Sequence, residues 1–155
     1  MESNSKLSGV LITLIYLSVQ TRQTTKLMKS EARQSLIEVD MQILAFHIQF
    51  PEIPMNWDSA AELPVEQKYR LWSYLCAFMR SREHQWLQYQ QGVLDQAAWA
   101  AYHSAIPAVM GSERCRAWWV AFGSQFYEPG FVEVVNTTLD DEPYFGLRQA
   151  MDAWK

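Results

Sequence analysis

The longest stretch without proline or glycine, residues 10–50, constrains the fold more than any other feature. Its second half repeats apolar residues at steps of three and four, the spacing of one face of an α-helix. We therefore predict one long N-terminal helix that ends before Pro51 and buries a wide apolar side. The first apolar stripe is Ala32, Leu36, Val39, Ile43, Phe46 and Phe50, and the second is Ile37, Met41, Leu44 and Ile48.

The rest of the chain shows the same helical spacing between its prolines and glycines. Residues 51–63 are predicted to form a loop, and Pro107 is expected to kink or end the third helix. Residues 147–154 predict a terminal helix. The predicted helix starts are Pro64, Asp95, Ser112 and Pro129, with Gly92 as a C-terminal stop. The predicted inner faces are Tyr69, Trp72, Leu75, Met79 and Trp86, then Trp99, Tyr102 and Ile106, then Cys115, Trp118, Phe122 and Phe126.

These patterns together predict an all-α fold. We expect a long N-terminal helix with an apolar head and an amphipathic body, packed in a bundle of about five to six helices. Val is infrequent while Ala, Leu, Gln, Glu and Met are plentiful, which favours helix over strand.

The apolar head, residues 7–19, carries no charge. A full membrane span needs about 20 apolar residues, so the head is short for one. Flanking Lys6 and Arg22 can snorkel, and Tyr16 lies where interfacial aromatic residues are favoured. We predict a membrane-anchor segment at residues 1–22 and a helical bundle domain at residues 23–155. A helix buried in protein and a cleaved secretory signal are the alternatives.

Charge and cysteine content narrow the classes of protein. The net charge of −4 argues against a nucleic-acid-binding protein, because neutralising phosphates requires a basic surface. Cys76 and Cys115 belong to no CxxC pattern and fall on apolar sides of predicted helices. We predict two buried thiols and no disulfide, which fits a reducing compartment.

Four polar residues fall on predicted apolar faces. Asp40 and His47 project near the middle of the apolar side of the first helix, and Arg82 and Glu83 project within the apolar arc of the second. Because desolvating an unpaired ion costs several kcal/mol, we predict that the two helices pack around a cluster of these four residues. The cluster fixes helix packing or, as the less favoured alternative, forms a small-molecule pocket with an acid–base pair.

Metal and catalytic patterns are weak. The HExxH pattern is missing, and no His has a Glu or Asp three or four residues away on its own helix. His84 falls on a polar face, and His103 is interpreted as a structural residue. We therefore predict no metal and no cofactor, and the sequence argues against an enzyme without excluding one.

Several segments resemble a family of uncharacterised small bacterial proteins with an N-terminal membrane helix followed by a helical domain. The opening similarity lies in Tyr16, Leu17, Gln20, Arg22, Gln23, Thr25 and Lys26. The later similarity lies in the segment from Glu83 to Gly92, in Trp99, in the Arg116-Ala117-Trp118-Trp119 run and in the Glu-Pro-Gly-Phe run that ends at Phe131. The resemblance implies a membrane-tethered helical domain and assigns no catalytic residue.

Three functions follow as hypotheses. The favoured one is a membrane-tethered interaction or scaffold module that binds a protein partner or another copy of itself. The second is a ligand-binding or enzymatic bundle that uses the polar cluster, and the third is an accessory subunit of a membrane complex. By the positive-inside rule, Lys26, Lys29 and Arg33 predict a bacterial inner-membrane protein with its N-terminus outside and its helical domain in the cytoplasm. The alternative location is soluble and cytoplasmic.

Overall fold

The computed structural model describes residues 2–57, 59, 61–141 and 153–154, with side chains from residue 9 onward. These residues form helices and connecting turns, and no strand occurs among them. The predicted all-α fold is therefore confirmed. The chain divides into two compact units, Met1–Ser35 and Leu36–Lys155.

The first unit is the N-terminal part of a single helix, α1, which extends over Glu2–Gln49. The helix ends before Pro51, as predicted, because that proline disfavours the helical conformation of the residue before it. From residue 9 onward, the large apolar side chains of this unit are exposed. They are Val10, Leu11, Ile12, Leu14, Ile15, Tyr16, Leu17, Val19, Leu27 and Met28.

The second unit starts within α1, and its described residues contain the other helices. They are α2 (Glu52–Met55), α3 (Val65–Gln90), α4 (Gln96–His103), α5 (Ala105–Met110), α6 (Glu113–Ala121) and α7 (Pro129–Asp141), with a 3₁₀ turn at Gly123–Gln125. The predicted caps are confirmed, since Asp95 and Ser112 accept hydrogen bonds from the backbone N–H groups of Ala98 and Cys115. Gly92 ends α3 with a φ of 70°, the left-handed conformation that glycine adopts without a steric penalty.

The core of this unit lies around α3, the longest helix that falls wholly within it. α3 contacts α4, while α5 packs against both α6 and α7. Cys115 is buried, as predicted, whereas Cys76 is only half-buried, and no disulfide joins the two cysteines. The most deeply buried side chains include Leu75, Met79, Ile106, Met110, Cys115, Trp119, Phe131 and Val135.

Two local predictions are corrected by the observed helix ends. The predicted loop contains α2, which buries Ile53. The helix expected to carry Phe126 on its inner face ends at Ala121, and the chain turns through a φ of −138° at Phe122. Phe122 and Phe126 are therefore about half exposed instead of buried.

The break near Pro107 has a direct cause. Proline has no N–H, so a continuous helix would leave the carbonyl of His103 without its partner four residues on. The chain instead ends α4 at His103, turns at Ser104 and begins α5 two residues before the proline. The predicted terminal helix at residues 147–154 lies outside the described residues except for Ala153 and Trp154.

Predicted burial fails at two places where a helix face meets no neighbour. Tyr69 of α3 is exposed instead of lying on the inner face. In α1, Leu36 is buried, but Val39 of the first predicted stripe is exposed, and the second predicted stripe is exposed along its whole length. We call Ile37, Met41, Leu44 and Ile48 the α1 stripe.

Candidate functional site

An ion pair joins α1 to α3 at the centre of the predicted polar cluster. The Arg82 guanidinium donates through Nη2 to Oδ1 of Asp40. The Arg82 side chain is only 5% exposed, whereas Asp40 keeps 32% of its surface. Helix geometry thus places a buried cation against a carboxylate that still contacts solvent.

The remaining surroundings of Arg82 are mostly aromatic. Its guanidinium lies 4.8 Å from the ring centre of Phe78 and 5.5 Å from that of Tyr102, and Nη1 is 3.5 Å from the Tyr102 carbonyl oxygen. Nε is buried and has no hydrogen-bond partner. Burial lowers the pKa of Arg82, and Asp40 opposes that effect by favouring the charged form. Asp40 is therefore the partner on which this buried charge depends.

His47 belongs to a different environment, a cluster of three rings. Its ring centre lies 4.6 Å from that of Tyr74 and 5.6 Å from that of Trp57. His47 Nε2, the Tyr74 hydroxyl and Trp57 Nε1 are all buried without a hydrogen-bond partner. Burial lowers the pKa of His47 and raises that of Tyr74, so both rings are held neutral.

The spacing along α1 separates His47 from Asp40. Seven residues correspond to about 10 Å along a helix, which is too far for a direct hydrogen bond. His47 therefore has no carboxylate to orient it or to share its proton among the contacts described. The acid–base pair considered for this cluster is not assembled in the structure.

Glu83 faces away from the Asp40–Arg82 pair. One carboxylate oxygen pairs with Arg80, and the other accepts a hydrogen bond of 2.7 Å from the backbone N–H of Glu128. The Glu128 carboxylate in turn accepts from the backbone N–H of Phe131. Because successive helix residues point about 100° apart, Glu83 meets the start of α7 while Arg82 meets α1.

The predicted four-residue cluster is thus divided into three environments. Asp40 and Arg82 form one pair, His47 lies among aromatic rings, and Glu83 anchors the start of α7. Sequence reasoning missed Gln85, which is fully buried and whose amide group has no hydrogen-bond partner. Its position three residues after Arg82 on the same face of α3 was the available signal.

Two described pockets lie elsewhere. One, of about 370 Å³, is lined by Ala61, Glu62, Leu63, Lys68, Leu71, Trp72, Leu75, Arg114 and Trp118. The other, of about 470 Å³, is lined by His103, Glu133, Val134, Thr137, Thr138 and Asp141. In the second, His103 Nε2 lies 2.7 Å from the Thr138 hydroxyl, which fits the structural role expected for this histidine.

The part of the chain that the structure describes contains no cluster of side chains suited to a metal centre. No group of three or more His, Cys, Asp or Glu residues is positioned there to hold a metal ion. His84 is exposed, as expected from its polar face. The most conspicuous surface features are instead the apolar head and the α1 stripe.

The apolar head bears directly on the predicted anchor at residues 1–22. Among the described residues, no helix has both the length and the hydropathy that crossing a membrane requires. Comparison with protein-family models, curated proteins and solved structures gives no match for this chain.

Proposed function

We propose that this protein is a non-enzymatic helical interaction module whose apolar head tethers it to a membrane. The observation that carries the proposal is the exposure of the head on every side of α1. Apolar side chains at Val10, Leu11, Ile12 and Leu14 are all more than half exposed, and they point in different directions around the helix. A protein groove covers one face of a helix, whereas lipid surrounds all of it.

Hydrogen bonding within the helix lowers the cost of such an insertion. The Thr13 hydroxyl donates to the Gly9 carbonyl over 2.9 Å, and the Thr21 hydroxyl donates to the Leu17 carbonyl over 2.8 Å. A hydroxyl that already has an acceptor on its own helix adds no unpaired donor to the hydrocarbon phase.

Charge on the C-terminal side of the head supports a membrane surface as the partner. Arg22, Lys26 and Lys29 follow the head and are exposed. Each basic residue near an anionic lipid surface contributes about 1 kcal/mol to binding. By the positive-inside rule we propose that the helical domain lies on the cytoplasmic side of a bacterial inner membrane.

The length of the head defines how it is embedded. Its 13 residues extend over about 20 Å at 1.5 Å per residue, against a hydrocarbon core of about 30 Å. We therefore propose an embedded head whose flanking cations reach the headgroups, accompanied by local thinning of the bilayer.

Vesicle flotation tests this proposal with a matched pair of double variants. The full-length chain is mixed with vesicles of phosphatidylcholine and phosphatidylglycerol, and we expect it to float with them. Leu11→Asn with Ile15→Asn is expected to abolish flotation. Leu27→Asn with Met28→Asn, which changes two equally exposed apolar residues outside the head, is expected to retain it.

Two results contradict the tether. One is a wild-type chain that stays at the bottom of the gradient with every vesicle composition. The other is an equal loss of flotation in both double variants, since that would make general apolarity, and not the head, responsible.

A second function, pairing of tethered copies, is favoured by the α1 stripe. Ile37, Met41, Leu44 and Ile48 follow steps of four, three and four, which are the a and d positions of a coiled coil. All four are more than half exposed. Copies that share one membrane have a high effective concentration, so that this short seam suffices for pairing. We propose a second copy of this chain as the occupant of the stripe.

Energy transfer between differently labelled copies in the same vesicles measures this pairing. Met41→Lys with Leu44→Lys is expected to abolish the transfer while flotation persists. Val65→Lys with Val120→Lys, which places the same two charges at exposed apolar residues outside the stripe, serves as the control. Transfer that survives in the stripe variant would refute pairing through the stripe and leave the tether intact.

A further inference from the structure

The smaller described pocket has the features of a ligand site. It lies between the N-terminal half of α3, which contributes Leu71, Trp72 and Leu75, and α6, which contributes Arg114 and Trp118. Its volume of about 370 Å³ falls within the range typical of small-molecule sites, about 300–1,000 Å³. The walls are leucine and tryptophan, so the body of a ligand would be apolar.

The tryptophans of this pocket carry unused donors. The indole N–H groups of Trp72 and Trp118 are buried and have no hydrogen-bond partner. Trp118 is only 9% exposed. Buried polar groups in folded proteins nearly always have partners, so two unpaired N–H groups on residues that line one pocket need an explanation. An indole nitrogen only donates, and its partner must therefore be an acceptor.

Arg114 supplies a positioned cation at the same pocket. Its Nη2 donates to the backbone carbonyls of Ser59 and Ala61, which fixes the guanidinium against the segment before α3. No hydrogen bond from Nη1 to a described residue accompanies these two. A guanidinium held in this way faces an acidic ligand group without first losing side-chain freedom.

Lys68 adds a second cation at the mouth. Its Nζ lies 3.0 Å from a Glu62 carboxylate oxygen, in a pair with exposed fractions of 54% and 87%. Exposed ion pairs contribute little stability, so an incoming anion competes readily with Glu62. The charged residues of the pocket lining are two cations and one anion, so its net charge is positive.

We propose that this pocket binds a small organic monoanion, with an aromatic or branched aliphatic body against the leucine and tryptophan walls. Its carboxylate or sulfonate group contacts Arg114 and Lys68. Every hydrogen-bonding side chain of the pocket except Glu62 is a donor, which favours acceptor oxygens and disfavours a cationic ligand. The site is independent of the membrane tether, because it uses none of the residues of the apolar head.

Nuclear magnetic resonance of the indole N–H groups tests the proposal in the full-length chain. The probe is 4-phenylbutyrate, and its neutral analogue 4-phenylbutyramide is the matched control. We expect the acid to shift the Trp72 and Trp118 indole resonances, which are assigned with Trp72→Phe and Trp118→Phe. The amide is expected to bind at least about tenfold more weakly, which corresponds to the loss of one charge-assisted contact.

Variants test which cationic residues the binding of the acid requires. Lys68 makes no side-chain hydrogen bond to a described backbone group, and Lys68→Met is expected to weaken binding several-fold. Arg114→Met is expected to weaken binding about tenfold, with partial recovery in Arg114→Lys. Ala61→Trp, which fills the mouth from an exposed position, is expected to abolish binding. Lys29→Met removes the same charge outside the pocket and is the control.

Three results overturn the proposal. They are unchanged indole resonances up to the solubility limit of the acid, equal affinity for acid and amide, and undiminished binding in both Lys68→Met and Arg114→Met. Vesicles of phosphatidylglycerol, added without free acid, distinguish a lipid headgroup from a free molecule. A shift with vesicles alone would refute the assignment to a free monoanion, while vesicle flotation separately reports on the tether.

Discussion

Replacing Asp40 with alanine is expected to destabilise the protein more than replacing its partner Arg82 with methionine. In Asp40→Ala the guanidinium stays buried and loses its carboxylate. It keeps only the Tyr102 carbonyl at 3.5 Å and two ring faces. Breaking a fully buried pair costs about 3–5 kcal/mol, and because Asp40 is partly exposed we expect a smaller loss, about 2–3 kcal/mol.

Arg82→Met has a different energy balance. The methionine side chain still packs on the Phe78 and Tyr102 rings, and the buried unpaired Nε is removed. The cost is the hydrogen bond and the cation–π contacts, while Asp40 returns to water at its partly exposed position. We expect a net loss of about 1 kcal/mol in the free energy of unfolding. In the methionine background, Asp40→Ala is expected to cost at most about 0.5 kcal/mol more.

Urea denaturation of the full-length chain in a non-ionic detergent, followed by far-ultraviolet circular dichroism, measures all four species of this cycle. The expected coupling free energy is about 2 kcal/mol. If Arg82→Met costs as much as Asp40→Ala, or if the double variant equals the sum of the singles, the assignment of Asp40 as the support of a buried charge is refuted.

Three other predictions concern single residues. Burial lowers the pKa of His47 in the folded state, so the unfolded chain is protonated first as pH falls below 6.5. Protonation therefore favours the unfolded chain, and the free energy of unfolding decreases as pH falls. His47→Phe is expected to reduce this acid sensitivity in urea titrations, and an unchanged pH slope would contradict it. Gly123→Ala places a Cβ 2.7 Å from Trp119 and is expected to lower the free energy of unfolding by about 1–3 kcal/mol. In the control, Gly9→Ala, the added Cβ meets no atom within 4 Å, and no loss of stability is expected. Equal effects of the two variants in thermal denaturation would refute this prediction. Ser112→Ala removes the cap of α6 and is expected to cost about 1 kcal/mol in the same assay, and no loss would show that the cap is unimportant.

Helix boundaries were predictable because their causes are local. Pro51, Gly92, Asp95 and Ser112 act within a few residues of their own positions, through φ restrictions and capping hydrogen bonds. Gly123 follows the end of α6 at Ala121, but the helical spacing of Phe122 and Phe126 outweighed that signal in the prediction. The regular spacing of Phe122 therefore predicted burial that the turn prevents.

Burial depends on neighbours that a single helix does not specify. The periodicity of α1 marked two apolar stripes, but only the packing decides that Leu36 is covered and Met41 is not. The same limit applies to the candidate site. Projection onto helix faces placed Asp40 and Arg82 on apolar sides of their helices, and in the structure they form an ion pair in which Arg82 is buried and Asp40 is partly exposed.

Projection onto helix faces could not predict which partners two adjacent residues contact, or which distant segments form a pocket together. Arg82 and Glu83 fell within one apolar arc, yet they contact different helices. The pocket between Trp72 and Trp118 joins segments that are far apart in sequence, so periodicity within one helix did not reveal it. The residues on one face of a helix were therefore predictable, whereas the segments that pack against that face were not.

The central claim is that the apolar head tethers the chain to a membrane. The most direct test is carbonate extraction of membranes from cells that express the full-length protein or its Leu11→Asn, Ile15→Asn double variant. We predict that the wild-type chain remains in the membrane pellet and that the double variant moves to the supernatant. A wild-type chain in the supernatant, or a double variant that stays in the pellet, would contradict the claim.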